Sequence, residues 1–191
     1  MDLDATVGSP TMNSYLTVDE ANDYFSMRLT VDEWENAESQ DALLQMATRV
    51  MDSVISPHRI IVRPSDGSPP YYRELRTWTG AIATTTQTLM WPRTGMYTRA
   101  GAEILSTEIP RDLKYATAEL AAQLARGDRT ADNKIAVQGI TSVRAGSVAI
   151  TFKDMIESNV IPEAVWALLV PSWLTDEIVT QVYAADFMVV S

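Results

Sequence analysis

The segment from Pro110 to Gly127 constrains this chain more than any other. Pro110 suits a first helical position, where its missing N–H would have had no partner, and Gly127 suits a helix end. Between them Leu113, Leu120 and Leu124 line one face. Ala116, Ala118, Ala121, Ala122 and Ala125 leave little bulk, so another helix or another subunit can approach closely. From Ser39 to Ile55, Leu43, Ala47, Val50 and Val54 recur at steps of four, three and four, which predicts a second amphipathic helix.

Weaker signals fill in the rest. Thr17-Val18-Asp19-Glu20 and Thr30-Val31-Asp32-Glu33 both fit the capping box, so two short helices are expected there. Gly80 to Met90 reads as a helix ended by Pro92, although Thr84, Thr85 and Thr86 disfavour it. Ile135 to Phe152 alternates as β-structure around a turn near Ala145-Gly146, and Pro162 to Val170 predicts a short buried helix stopped by Pro171. Ser56 to Leu75, with four prolines and three arginines, has no sustained period and reads as a long loop, a candidate contact arm. The expected fold is mainly α: a small helical bundle with a β-hairpin and an extended C-terminal tail. Residues 1–13 form an arm, 14–174 the domain, with the 56–75 loop inserted and the hairpin at 135–152, and 175–191 the tail.

Fifteen basic residues against 25 acidic ones give a formal charge of −10. Such a total repels free nucleic acid at long range, because phosphate contacts need a basic surface. The charge is uneven, and Ile55 to Ala100 carries a net +4. Without cysteine there are no disulfides or thiolate metal sites, in keeping with a reducing cytoplasm. Met1 to Pro10 lacks the apolar core of a signal peptide, and the longest strongly apolar stretch, Ala164 to Val170, is far short of the ~20 residues that cross a bilayer. No membrane association is expected.

Site chemistry is sparse. His58 is the single histidine, so no histidine cluster can hold a metal or serve a serine nucleophile, and no phosphate-binding fingerprint occurs. Asp19, Glu20 and Asp23, and again Asp32, Glu33 and Glu35, could coordinate a cation, but acids in a first helical turn are the usual complement to the helix dipole. Neither an enzyme nor a cofactor is expected. The best nucleic-acid signal is Tyr71-Tyr72-Arg73-Glu74-Leu75-Arg76-Thr77-Trp78, where aromatics interleaved with arginine suit base stacking. The same residue types are enriched at protein interfaces.

Several stretches together carry a resemblance. Ser14-Tyr15-Leu16-Thr17, Glu20-Ala21, Tyr24-Phe25, Leu43-Leu44, Ala47-Thr48-Arg49 and Asp52 are followed by Trp78-Thr79-Gly80 and by Gln87-Thr88-Leu89-Met90-Trp91-Pro92-Arg93-Thr94-Gly95. Ile109-Pro110, Leu113-Lys114, Ala116, Ala118-Glu119-Leu120-Ala121 and Gly146-Ser147-Val148 complete the order. Over Ser14 to about Trp173 the chain resembles the head-to-tail connector, or adaptor, proteins of tailed double-stranded DNA phages. Some proteins of that kind carry the label of a primosomal single-strand DNA-binding protein, which gives the alternative function.

The resemblance implies a structural subunit of the virion, assembled in the host cytoplasm. About twelve copies would close into a ring under the portal protein, extend the channel for the double-stranded genome and present a surface to a tail or nozzle protein. Trp91, Pro92 and Arg93, with Tyr71, Tyr72 and Arg73, are the expected subunit interface. The same Trp-Pro-Arg run also fits an interior in which Trp91 fills the core, Pro92 stops a helix and Arg93 meets an internal acid. Arg144 and Lys153 would face the channel. Ile178, Val179, Val182, Tyr183, Phe187 and Val189, in a tail too apolar to stay in water, would dock on the portal while remaining dispensable for folding.

Overall fold

The computed structural model describes residues 2–29, 31–55, 59–62, 69, 71–74, 76–126, 142–145, 148–151, 161–176 and 178–181. The fold is mainly helical and carries a small antiparallel hairpin. Five helices occur among the described residues: α1 Val18–Phe25, α2 Asp32–Glu35, α3 Gln40–Val54, α4 Arg111–Ala125 and α5 Glu163–Trp166. The strands are β1 Arg59–Val62, β2 Tyr71–Glu74, β3 Ala81–Ile82, β4 Arg93–Thr94, β5 Ser142–Ala145, β6 Val148–Thr151 and β7 Ile178–Gln181.

Helix α4 is the hub, and the other four helices all pack against it. Every residue from Ala116 to Ala122 is buried, the pattern of a helix enclosed on all sides. The alanines make this possible by letting neighbouring backbones come close. Two polar side chains inside this run are satisfied: Thr117 Oγ1 donates to Leu113 O at 2.9 Å, and Glu119 pairs with Arg28 and accepts from Tyr24 Oη at 3.3 Å. Pro110 takes the N-cap of α4, one position before the expected one. On α3 the buried stripe is Leu44, Ala47, Thr48, Val50 and Met51, so Leu43 and Val54 lie at its margins.

Local rules account for the helix starts. The capping box of α1 is complete, with Thr17 Oγ1 accepting from Glu20 N at 3.2 Å and Glu20 Oε2 accepting from Thr17 N at 2.9 Å. Ser39 caps α3 by accepting from Ala42 N at 3.2 Å. The second expected box does not form as placed, because α2 starts one residue late with Val31 at its N-cap and no side-chain cap.

Three further expectations need correction. Gly80 to Met90 is not a helix: β3 pairs with β4 through Ala81↔Thr94 and Ile82↔Arg93, and turns follow. Gly80 has φ +64°, and a Cβ there would meet Thr94 O at 2.3 Å, so the strand approach itself demands glycine. The 56–75 stretch is no unstructured loop. Its β1 and β2 pair antiparallel from Arg59↔Glu74 to Val62↔Tyr71, and β-branched and aromatic residues supply the strand preference that the prolines obscure. The third concerns the tail, which is not independent of the domain: β7 adds to β2 from Tyr71↔Gln181 to Glu74↔Ile178, making a sheet of order β1-β2-β7.

The hairpin lies within its expected span. β5 and β6 pair from Ser142↔Thr151 to Ala145↔Val148, on either side of Gly146-Ser147. Ile135 and Val137, assigned to its first strand, lie outside the described residues.

Candidate nucleic-acid interface

The β2–β7 ladder continues past its strands. Thr77 O accepts from Thr175 N at 2.9 Å, Trp78 bridges Leu174, and Thr79 N donates to Trp173 O at 2.8 Å. This antiparallel run brings the stretch after β2 against the segment that holds α5. There the exposed guanidinium of Arg76 lies over the ring of half-buried Trp166, 5.4 Å from its centroid. Arginine over indole combines positive charge with a large π surface.

A second arginine reaches the same segment from a different loop. Met96 to Ile104 folds back on itself, with Ile104 N donating to Met96 O at 2.9 Å, Thr98 N to Ala102 O at 2.7 Å, and Tyr97 bridging Glu103. From the tip, Arg99 Nη2 donates to Leu168 O and Leu169 O, each at 3.3 Å. Trp173 Nε1 donates to Tyr97 O at 2.7 Å and fixes the base of the loop, while the Tyr97 side chain stays 51% exposed. Arg76, Trp166, Tyr97 and Arg99 are thus gathered around residues 166–173. Arg76 belongs to the arginine–aromatic stretch that sequence reading singled out. The other three escaped it because their neighbours are distant in sequence.

Beneath this surface lies a tryptophan cluster. Trp78 and Trp91 meet edge to face at 5.7 Å, and Trp91 and Trp173 lie 5.2 Å apart, all three buried. Arg93 is buried beside them and donates to Thr79 O at 2.7 Å, Met90 O at 3.0 Å and Gly80 O at 3.1 Å. Trp91, Pro92 and Arg93 are therefore used inside the chain rather than at a subunit interface. The internal reading of that run also changes in one respect, since among the described residues Arg93 binds three carbonyls and no acid directly. Nearby, Asp52 of α3 accepts from Tyr15 Oη and, at 3.0 Å, from Met90 N, tying α3 to both the N-terminal segment and the Trp91 loop. Burial dominates there and pushes the Asp52 carboxyl up to about 6, against the opposing pull of those two donors and of Arg93.

A groove lies between α1 and the start of α4. It is lined by Tyr24, Met27, Arg111, Tyr115 and the Glu20–Lys114 ion pair, with a volume of about 540 Å³. The acids of α1 behave as helix-start residues should: Glu20 completes the capping box and bonds Lys114, which together outweigh burial and hold its carboxyl below the usual range.

The remaining expected site residues scatter. Tyr71 is half-buried on β2, and Tyr72 and Arg73 sit at the centre of the sheet, facing Ile61 and Ile60 of β1 and Thr180 and Val179 of β7 in register. Ile178 and Val179 belong to β7 and pair with this chain's own β2, which removes them as a free docking segment. Arg144 lies on β5 opposite Ala149. Lys153, Val182, Tyr183, Phe187, Val189 and His58 lie outside the described residues.

Comparison with known proteins bears on the two functions raised by the sequence. A family model described as "Putative DnaT-like ssDNA binding protein" matches residues 70–185, more than half of the 191. No curated protein matches the chain, and no solved structure does. The match overturns the head-to-tail connector assignment, and with it fall the ring of about twelve copies, the portal and tail-side partners, and the double-stranded DNA channel. Part of the misleading resemblance rests on the core. Trp91, Arg93, Leu113, Ala116, Leu120 and Ala121 are all buried, and core residues report a fold rather than a function. From β2 to β7, the arginine–aromatic surface and the helix it rests on lie inside the matched segment, and the chain belongs to the family of DnaT-like ssDNA-binding proteins.

Proposed function

We propose that this chain binds single-stranded DNA through the surface formed by Arg76, Trp166, Tyr97 and Arg99. The observation that carries the reading is the family match over residues 70–185, which contains all four. Strand binding without strict sequence preference combines cationic side chains along the backbone with aromatic faces on which bases stack. Arg76 over Trp166 supplies both at one point, and exposed Tyr97 and Arg99 extend it.

The charge of −10 does not oppose this reading. Residues 70–185 hold 11 basic and 12 acidic side chains, while residues 1–69 hold 4 and 12. The acidity is thus concentrated outside the matched segment, and a bound strand samples the local field, screened beyond about 8 Å at physiological salt. On this reading the protein is a binding module and no enzyme.

The test is fluorescence anisotropy of a labelled oligonucleotide across a salt series. The unmodified protein should bind, with affinity falling as salt rises. Arg76→Ala and Arg99→Ala should each lower the magnitude of the log–log salt slope by about 0.7, and Trp166→Ala should weaken binding by about 1–3 kcal/mol with the slope unchanged. The oligonucleotide should be recovered at full length. Failure of the unmodified protein to bind at low salt would refute the function, and unchanged binding by all three variants would refute the surface.

A further inference from the structure

The groove between α1 and α4 is distinct from the Arg76–Trp166 surface. Its volume of about 540 Å³ falls within the ~300–1,000 Å³ usual for small-molecule sites. Tyr24 and Tyr115 line it with rings 4.6 Å apart and 34° from parallel, and the exposed guanidinium of Arg111 lies 5.8 Å from the Tyr115 centroid. Among the described residues the one ion-pair partner of Arg111 is its neighbour Asp112, at a long 3.7 Å, and its side chain is 77% exposed, so it is available to a phosphate.

Charge in the groove favours an anionic ligand more than the chain average does. The Lys114 and Glu20 charges cancel as an ion pair, and Arg111 balances Asp23. Asp23 is exposed, and its carboxylate makes no hydrogen bond or ion pair among the described residues. A carboxylate beside an aromatic face is a receptor for the exocyclic amine of a base. Thymine has no such amine; cytosine does.

We infer that this groove takes one nucleotide of a bound single strand, its base against the Tyr24–Tyr115 pair, its exocyclic amine on Asp23 and its phosphate on Arg111. The inference rests on the proposed single-strand binding and adds to it a base preference and a second point of contact. Its position supports it, since Arg111, Lys114 and Tyr115 lie on α4 within the family match, and α5, which bears Trp166, packs on the same helix. Exposed Met27, at the mouth, offers a flexible apolar flank to the base.

The experiment compares oligo(dC) with oligo(dT) by anisotropy, for the full chain and for Asp23→Asn, Arg111→Ala and Tyr115→Ala, each checked for an unchanged thermal midpoint. Oligo(dC) should bind the unmodified protein about tenfold more tightly, and Asp23→Asn should remove most of that ratio. Arg111→Ala should lower the salt slope by about 0.7 for both strands, and Tyr115→Ala should weaken both at least about fivefold. If Tyr115→Ala lowers the midpoint, Tyr115→Phe replaces it and should retain binding. Equal binding of the two strands by the unmodified protein, or full binding by Arg111→Ala, would overturn the subsite and leave single-strand binding standing. Absence of any binding by the unmodified protein overturns both.

Discussion

Replacing Asp52 with asparagine should remove a specific part of the pH dependence of folding, and the size of that part follows from the site. The carboxyl is raised from 3.8 to about 6 in the fold, chiefly by burial. A folded value above the unfolded one means that the native state holds this proton more tightly. The contribution is complete below about pH 3.8, shrinks as pH rises through 6, and is gone by pH 7. Two units at about 1.36 kcal/mol each give roughly 3 kcal/mol in full, of which about 2 kcal/mol is present at pH 4.5. Other acids pull in the opposite direction. Asp4, bonded by Thr11, by the Thr6 amide and by Ser9, lies well below the usual range and loses stability on acidification, as does Glu20. The informative quantity is therefore a double difference: urea unfolding at pH 7 and pH 4.5 for the unmodified protein, minus the same difference for Asp52→Asn. We expect about +2 kcal/mol in favour of the acid condition. A value of zero or opposite sign would show that the Tyr15 and Met90 donors outweigh burial, and the reasoning would fail.

Three further perturbations test the packing. Trp91→Ala empties the centre of the tryptophan cluster and should cost about 3–5 kcal/mol in chemical denaturation. Arg28→Ala leaves the buried Glu119 carboxylate without its ion-pair partner; because the Arg28 side chain is 36% exposed, about 1–3 kcal/mol is expected, and adding Glu119→Gln should restore much of it. Truncation after Trp173 removes Thr175 and β7 together, so β2 loses one neighbour and stability should fall by at least about 2 kcal/mol, where an independent tail would leave the thermal midpoint unchanged.

The helices were legible because their signals are local. The Thr17 box, the Ser39 cap, the Pro110 start and the periodicity of α3 and α4 all act within a few residues of one another. The sheet was hidden for the opposite reason. β2 pairs with β7 more than a hundred positions away, so neither strand's short alternation could declare its partner. Thr84 to Thr86 marked the weak point of the expected helix, and the cause, a glycine under close strand approach, lies at Gly80. At the site, Arg76 stood in a recognisable arginine–aromatic run, but Trp166 was assigned to a buried helix and Tyr97 and Arg99 to nothing. Their grouping depends on a loop and a ladder that only the fold brings together. Net charge misled for a related reason, since it averages an acidic first third with a nearly balanced remainder.

The unequal burial of the tryptophans gives the protein two optical reporters. Trp34, Trp78, Trp91 and Trp173 are sealed from water, while Trp166 of the five is half-buried beneath Arg76. Emission from the sealed indoles should fall at short wavelength and follow unfolding. Trp166 alone can be quenched by a stacked base, so strand binding should dim a red-edge minority of the signal and leave the rest unchanged. One unlabelled sample can then report integrity and occupancy separately.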